Sequence, residues 1–231
     1  MPPDPLVLAF DTSAAHCAAA LLCGDTLLAD GFEEMRKGQA ERLFPMLEEI
    51  LAKGGATWAD LGLIGVGVGP GNFTGIRIAV SAARGLSLSL GIKAVGVSAL
   101  EAQARPHPRP LLSLVPAHAG QAYAARLTDT GMEPPVLMPL AQAVDEAARD
   151  GLAICDAPGL LAEHAEVISP TLATDRPPQQ EPPRLAPAPL APAIGRLALQ
   201  RAPDAPARPS PLYIRPADAA PSRDAPPVIL A

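Results

Sequence analysis

Cysteine, lysine and long apolar runs are all scarce in this chain, and each scarcity narrows what it can be. Cys17, Cys23 and Cys155 are its three cysteines, with no CxxC pair and no histidine at ligand spacing. That argues against a disulfide framework or a zinc site and for reduced thiols in a cytoplasmic protein. No stretch reaches the roughly 18 apolar residues of a membrane span, and no basic segment precedes an apolar run at the N-terminus, so a soluble, untargeted chain is expected. His16, His107, His118 and His164 are scattered, with no HxxxH or HExxH pair, so no metal site is expected. The chain lacks a GxSxG elbow, and no nucleophile stands out. Three lysines against fifteen arginines reflect base composition and carry no functional weight. Acidic residues outnumber basic ones 24 to 18, which leaves a net charge of −6. A bulk electrostatic grip on nucleic acid is therefore not expected, and any RNA contact must be local or lent by a partner.

What is present is apolar and unevenly spread. The 231 residues are 48% hydrophobic, enough for a core in one or two compact domains. Five of 29 prolines fall in residues 1–100 and fifteen in 176–231, so the compact fold is concentrated early. Residues 1–175 carry a charge of −9 and the remainder +3, a mildly basic, irregular tail. Leu6–Phe10, His16–Cys23 and Thr26–Phe32 are separated by the turns Asp11–Ala15 and Gly24–Asp25, which predicts three antiparallel strands. Ala40, Leu43, Phe44, Leu47, Ile50 and Leu51 follow helical spacing up to Gly54-Gly55. Leu63–Val68, Ile76–Leu90 and Ile92–Val97 then predict a strand, a crossover helix and a parallel strand. Three antiparallel strands followed by helix, strand, helix, strand is the order of the ribonuclease H-like half of actin-like ATPases and sugar kinases. A mixed sheet covered by helices is expected. Farther on, a hairpin (111–115 and 122–127), helices near 140–149, 160–165 and 192–201, a strand at 152–155 and a proline-rich linker at 177–189 are expected.

Two turns could carry chemistry. Gly67 to Arg77 joins a buried strand to a helix start, where free N–H groups favour an anion; Gly69, Gly71 and Thr74 would be the contacts. The alternative is a tight turn with Asn72 or Thr74 as the helix cap. No Lys-Ser/Thr follows, so it is not a Walker loop. Asp11, Thr12 and Ser13 follow the first strand, where actin-like kinases hold phosphate and a metal's water shell; the alternative is an Asx-type turn. A small-molecule kinase or ATPase using both turns is therefore the competing function. Residues 101–231 look too short and proline-broken to supply the rest of one.

The crossover helix is more informative. Gly75 to Leu90 is apolar or small almost all round, with Arg77 and Arg84 its two charges. A helix covering one sheet face should show a charged outer stripe. Its second face is therefore expected to be buried too, either within the domain or by another subunit. Leu43, Phe44, Leu47 and Ile50 of the first helix, with Ile76, Ala79, Val80, Ala83 and Leu86 of the crossover helix, would form a two-helix docking surface.

These segments together resemble the bacterial TsaB (YeaZ-like) family, degenerate relatives of the TsaD threonylcarbamoyltransferase. Leu8–Ser13, Glu41–Leu47, Gly69–Arg77, Gly96–Leu100 and Pro211–Arg215 resemble that family's motifs in order and spacing. Pro116-Ala117-His118-Ala119-Gly120 stands where members often have an Asp-Ala-Arg type sequence, and Lys37–Glu41 lacks the paired histidines with which TsaD relatives bind metal. The resemblance implies an α/β, actin-like (ASKHA) fold of two halves with mixed sheets, divided at residues 1–103 and 104–231. It implies a non-catalytic scaffold that binds TsaD, with TsaE joining, and reaches tRNA through the complex. The complex places threonylcarbamoyl on the adenosine beside the anticodon of tRNAs reading ANN codons. The isolated chain would form homodimers through the same helices. No cofactor is expected, leaving open only a weak ATP or ADP contact at the subunit junction.

Overall fold

The computed structural model describes residues 4–164, 181–206 and 208–214. Five strands form the first sheet in the order β3-β2-β1-β4-β5: β1 (Leu6–Asp11), β2 (His16–Cys23), β3 (Thr26–Glu34), β4 (Leu61–Gly67) and β5 (Lys93–Val97). β1, β2 and β3 are antiparallel, while β4 and β5 run parallel to β1. Strand alternation divides the apolar runs between two cores. Leu8, Phe10, Ala19, Leu21, Ile64 and Val66 meet α1 (Gln39–Lys53) and α2 (Phe73–Leu90) on one face. Val7, Ala9, Ala20, Leu22, Leu63 and Val97 meet a last helix on the other. Burial on both faces explains why β1, β2 and β4 read as nearly unbroken apolar runs.

That last helix, α6 (Leu190–Arg201), follows the expected division at residue 103 in sequence yet packs on the first sheet. It returns from the proline-rich half to the first sheet, burying Ala191, Ala193, Ile194, Leu197 and Ala198 against it. Gly195 sits so close that a Cβ there would overlap Leu22. The first lobe is therefore built from both ends of the chain. Without α6 the back of the sheet would stand bare, an apolar surface too large for water to tolerate.

The second lobe is the sheet β11-β10-β6-β7-β8, with β9 also on β7. It comprises β6 (Leu111–Pro116), β7 (Gln121–Thr128), β8 (Gly131–Met132), β9 (Val136–Pro139), β10 (Ala153–Asp156) and β11 (Arg184–Leu185). α4 (Leu140–Asp150) and α5 (Leu160–Glu163) cover it. The predicted hairpin, helices and strand are all present. β11 lies inside the expected linker, where it extends β10 by parallel pairing; residues 165–180 lie outside the described residues. α3 (Ala99–Gln103) joins the lobes. Its buried Gln103 Nε2 donates to Ser113 Oγ (2.8 Å) and the Leu114 carbonyl (2.9 Å), so the junction is pinned by a satisfied polar network.

Candidate functional site

The two turns singled out in the sequence do meet, but chiefly each other. Asp11 ends β1 and is fully buried. Its Oδ1 accepts from Ser13 N–H (2.9 Å) and Ser13 Oγ (2.9 Å) and lies 2.8 Å from His16 Nε2, the Asx-type turn in full. Its Oδ2 is buried without a hydrogen-bond partner among the described residues. Against this turn stands the glycine loop. Asn72 N–H donates to the Ser13 carbonyl (2.6 Å), and Thr12 Oγ1 donates to the Gly75 carbonyl (2.7 Å). A Cβ on Gly71 would overlap the Ser13 carbonyl oxygen, and one on Gly75 the Thr12 carbonyl oxygen. Both glycines are thus required by backbone contact between the turns. Asn72 caps α2 as expected, its Oδ1 accepting from Gly75 N–H at 3.0 Å.

This arrangement commits much of both turns to each other. Thr12 is wholly buried and Ser13 nearly so, Gly69 is buried, and the amides of Ser13, Asn72 and Gly75 already have acceptors. Of the six proposed contacts, Thr74 is exposed and Gly71 half-exposed.

Beside the turns, a cleft of about 670 Å³ opens between the lobes. Its walls come from Ser13–Ala15, Pro70–Thr74, Val115–His118 with Tyr123, and the C-terminal segment Leu212–Ile214. That segment is a strap tied to α2. Leu212 N–H donates to the Val68 carbonyl (2.8 Å), Arg84 Nε donates to the Pro209 carbonyl (2.8 Å), and Arg77 Nε donates to Tyr213 Oη (3.0 Å). The Phe73 and Tyr213 rings lie 4.9 Å apart, with the Arg77 guanidinium 3.8 Å from the Phe73 centroid. The two most distinctive motifs of the sequence therefore close on one another at the cleft mouth. Neither this cluster nor the His16–Asp11 contact was evident in the sequence; the hint was the presence of aromatic residues in both motifs.

The docking helices turn most of their expected contact residues inward. Of the nine expected contact residues, Leu43, Leu47, Ile50, Ile76, Ala79, Val80 and Ala83 are buried against the chain's own sheet. Phe44 is exposed (43%) and Leu86 half-buried. The outward side of α2 carries instead Ser81, Gly85 and Leu88, flanked by half-buried Ile78 and Ala82. A Cβ on Gly85 would meet nothing within 4 Å.

On the acidic side of the lobe, Arg42 joins β3 to α1 by donating to Glu33 and Glu49. These hydrogen bonds hold both carboxyls below the usual range. Burial pushes the Cys17 and Cys155 thiols up to about 11, so neither is a thiolate at neutral pH. Among the described residues, no group of three or more His, Cys, Asp or Glu side chains could hold a metal. No helix there is long and apolar enough to cross a membrane.

No curated protein matches the chain. Among solved structures, it is similar to an uncharacterized protein "with similarity to peptidase YEAZ" from Pseudomonas aeruginosa. That match has 24% identity and a TM-score of 0.69, covering 91% of this chain and 100% of the other. YeaZ from Pseudomonas aeruginosa matches at 24% identity and TM-score 0.64 over 90% and 99%. A ROK family glucokinase from Streptomyces griseus, solved with glucose and AMPPNP, matches at 9% identity and TM-score 0.52 over 84% and 99%. The family model of TsaD, tRNA N6-adenosine threonylcarbamoyltransferase, matches residues 33–149. With just over half its length matched, the chain belongs to the tRNA N6-adenosine threonylcarbamoyltransferase (TsaD) family, and its actin-like fold takes the form seen in YeaZ.

Proposed function

We propose that this chain is a TsaB-type, non-catalytic member of its family. It binds TsaD, with TsaE joining, and thereby supports transfer of threonylcarbamoyl to the N6 amine of the adenosine beside the anticodon. One observation carries the reading: the outward side of α2. Glycine inside a helix costs roughly 0.5–1 kcal/mol relative to alanine. Gly85 nevertheless lies mid-helix with open space above it, between Ser81, Ala82 and Ser89 and one turn from exposed Leu88; Phe44 of α1 is exposed as well. Small side chains there let a second helix approach closely, and Phe44 and Leu88 supply apolar area at the margins. The closed turns agree with a non-catalytic role, because Asp11 is buried and the amides of Ser13, Asn72 and Gly75 are committed. The same face would hold two copies together when TsaD is absent.

The test is sedimentation of the chain mixed with TsaD, unaltered and as Gly85→Arg. A heterodimer that the substitution abolishes, in a chain whose circular dichroism is unchanged, is the expected result. A heterodimer that survives Gly85→Arg removes this face from the reading.

A further inference from the structure

The docking role leaves one edge of the first sheet unused. The sheet ends at β3 on one side and at β5 on the other. β5 is screened by the chain after α6: Lys93 Nζ donates to the Ala202 and Pro203 carbonyls, and a Cβ on Gly96 would touch Pro209. Among the described residues no further strand pairs with β3. Every second residue along it therefore turns an N–H and a C=O away from the sheet. Edge strands are usually guarded by lysine, proline or a twisting bulge. β3 holds no Lys, Arg or Pro, and its bulge, opposite Leu21 and Leu22, leaves Ala29–Glu34 in regular register. Its α1 side is filled, since Ala29 packs there, a Cβ on Gly31 would press on Ile50, and Glu33 is spent on Arg42. The other side is open. Leu27 stands opposite Leu22, Asp30 opposite Ala20 and Phe32 opposite Ala18, partners that belong to the core beneath α6, yet all three are exposed. Leu27, Leu28 and Phe32 are three of the seven large apolar side chains left exposed among the described residues, and Phe32 is 65% exposed. Its ring is nonetheless held, 5.2 Å from that of His16. Asp30 and Glu34 alternate with it, both exposed and without an ion pair among the described residues. Arg36 and Lys37 follow only after the strand has ended.

We infer that β3 is the receiving edge for an extended segment of a partner protein, laid antiparallel, in which apolar residues alternate with Lys or Arg along the open side. The backbone supplies the ladder, Phe32 and Leu28 the apolar anchors, and Asp30 and Glu34 the charges that set register. The alternation selects the occupant. A second copy of this chain would bring the same acids. Centring a two-fold on Asp30 sets it against itself, centring on Phe32 sets Asp30 against Glu34, and centring on Gly31 sets Asp30 against Phe32. Each register leaves carboxylates without a cation, between two chains already at −6. An acidic or wholly apolar segment meets the same mismatch, whereas lysines opposite Asp30 and Glu34 remove it.

The experiment uses the full chain alone, so its outcome is independent of TsaD pairing. Amide NMR follows titration with a capped synthetic peptide, Lys-Thr-Ile-Thr-Lys-Thr-Ile, whose antiparallel register sets its lysines opposite Glu34 and Asp30 and an isoleucine opposite Phe32. The same peptide with glutamate in place of lysine is the control. Saturable shifts centred on β3 are expected with the lysine peptide and none with the glutamate peptide. Phe32→Ser should weaken binding about fivefold, and Asp30→Lys should reverse the preference between the peptides. Both positions are exposed, so the fold should be unchanged, and the comparison of peptides stands without either variant. Hydrogen exchange of the chain before peptide is added completes the test, and the outward amides of β3 should exchange fast. Protection of those amides would mean that a second copy or the chain's own end already occupies the edge, and would overturn the proposal. So would failure of the lysine peptide to saturate, equal binding of the two peptides, or shifts centred elsewhere.

Discussion

Arg77 Nε donates to Tyr213 Oη at 3.0 Å across 136 positions of sequence, tying the start of α2 to the strap that closes the C-terminal motif. The strap belongs to the first lobe in the same sense as α6, since both come back from the proline-rich end to finish it. Tyr213→Ala should therefore destabilise the chain by about 1–2 kcal/mol, from the lost ring contact with Phe73 and the lost hydrogen bond. Tyr213→Phe should cost about 1 kcal/mol or less. Urea denaturation of both variants measures this, and equal losses would mean that the hydroxyl alone holds the strap.

Neighbouring positions on α2 should answer very differently to substitution. Ala83 is fully buried against the sheet, so Ala83→Glu places an unpaired carboxylate in the core at a cost of several kcal/mol and should unfold the chain. Gly85→Ala should raise the stability of the isolated chain by about 0.5–1 kcal/mol, because its Cβ enters open space. Thermal melts in dilute solution, where no dimer persists, distinguish the two.

The thiols should divide into one reactive and two protected. Cys17 and Cys155 are fully buried with their pKa pushed up to about 11, whereas Cys23 is partly exposed. Alkylation of the native protein at pH 8 should modify Cys23 first, with the other two reacting only on unfolding. Mass spectrometry of the labelled peptides reads the order directly, and fast labelling of Cys17 would contradict the packing of β2.

The Arg42 clamp predicts an acid-sensitive contact. Its hydrogen bonds depress the folded pKa of Glu33 and Glu49 below the ordinary value of 4.5. The contribution is therefore present above that ordinary value and lost as pH falls through the depressed one. The effect is small, because these carboxylates are solvent-exposed. Arg42→Met should reduce the melting temperature near neutrality and leave a shallower decline below about pH 4.5. Melting curves from pH 7 to pH 3 test the difference in slope.

The first lobe was legible because its signals are local. Short apolar runs, the turns between them and the helical spacing of Leu43, Leu47 and Ile50 each act within about ten residues. The placement of α6 was not legible, since nothing in Leu190–Arg201 says which sheet its apolar side will cover; that depends on the bare back of a sheet formed 100 residues earlier. α3 is too short to show a period. The inward burial of most expected docking residues has a specific reason. In a helix that is small almost all round, the larger apolar residues Ile76 and Val80 stand out, and those are the ones its own sheet buries. The open side of α2 at Gly85, on which the proposed docking rests, shows only in the packed structure.

The most direct test of the central claim is reconstituted tRNA threonylcarbamoylation with a threonylcarbamoyl-adenylate synthase, TsaD and TsaE, with and without this chain. Modification should appear with the chain, disappear without it and disappear again with Gly85→Arg, while the chain alone turns over no ATP. Full modification in its absence, or ATP turnover by the chain on its own, would contradict the scaffold role.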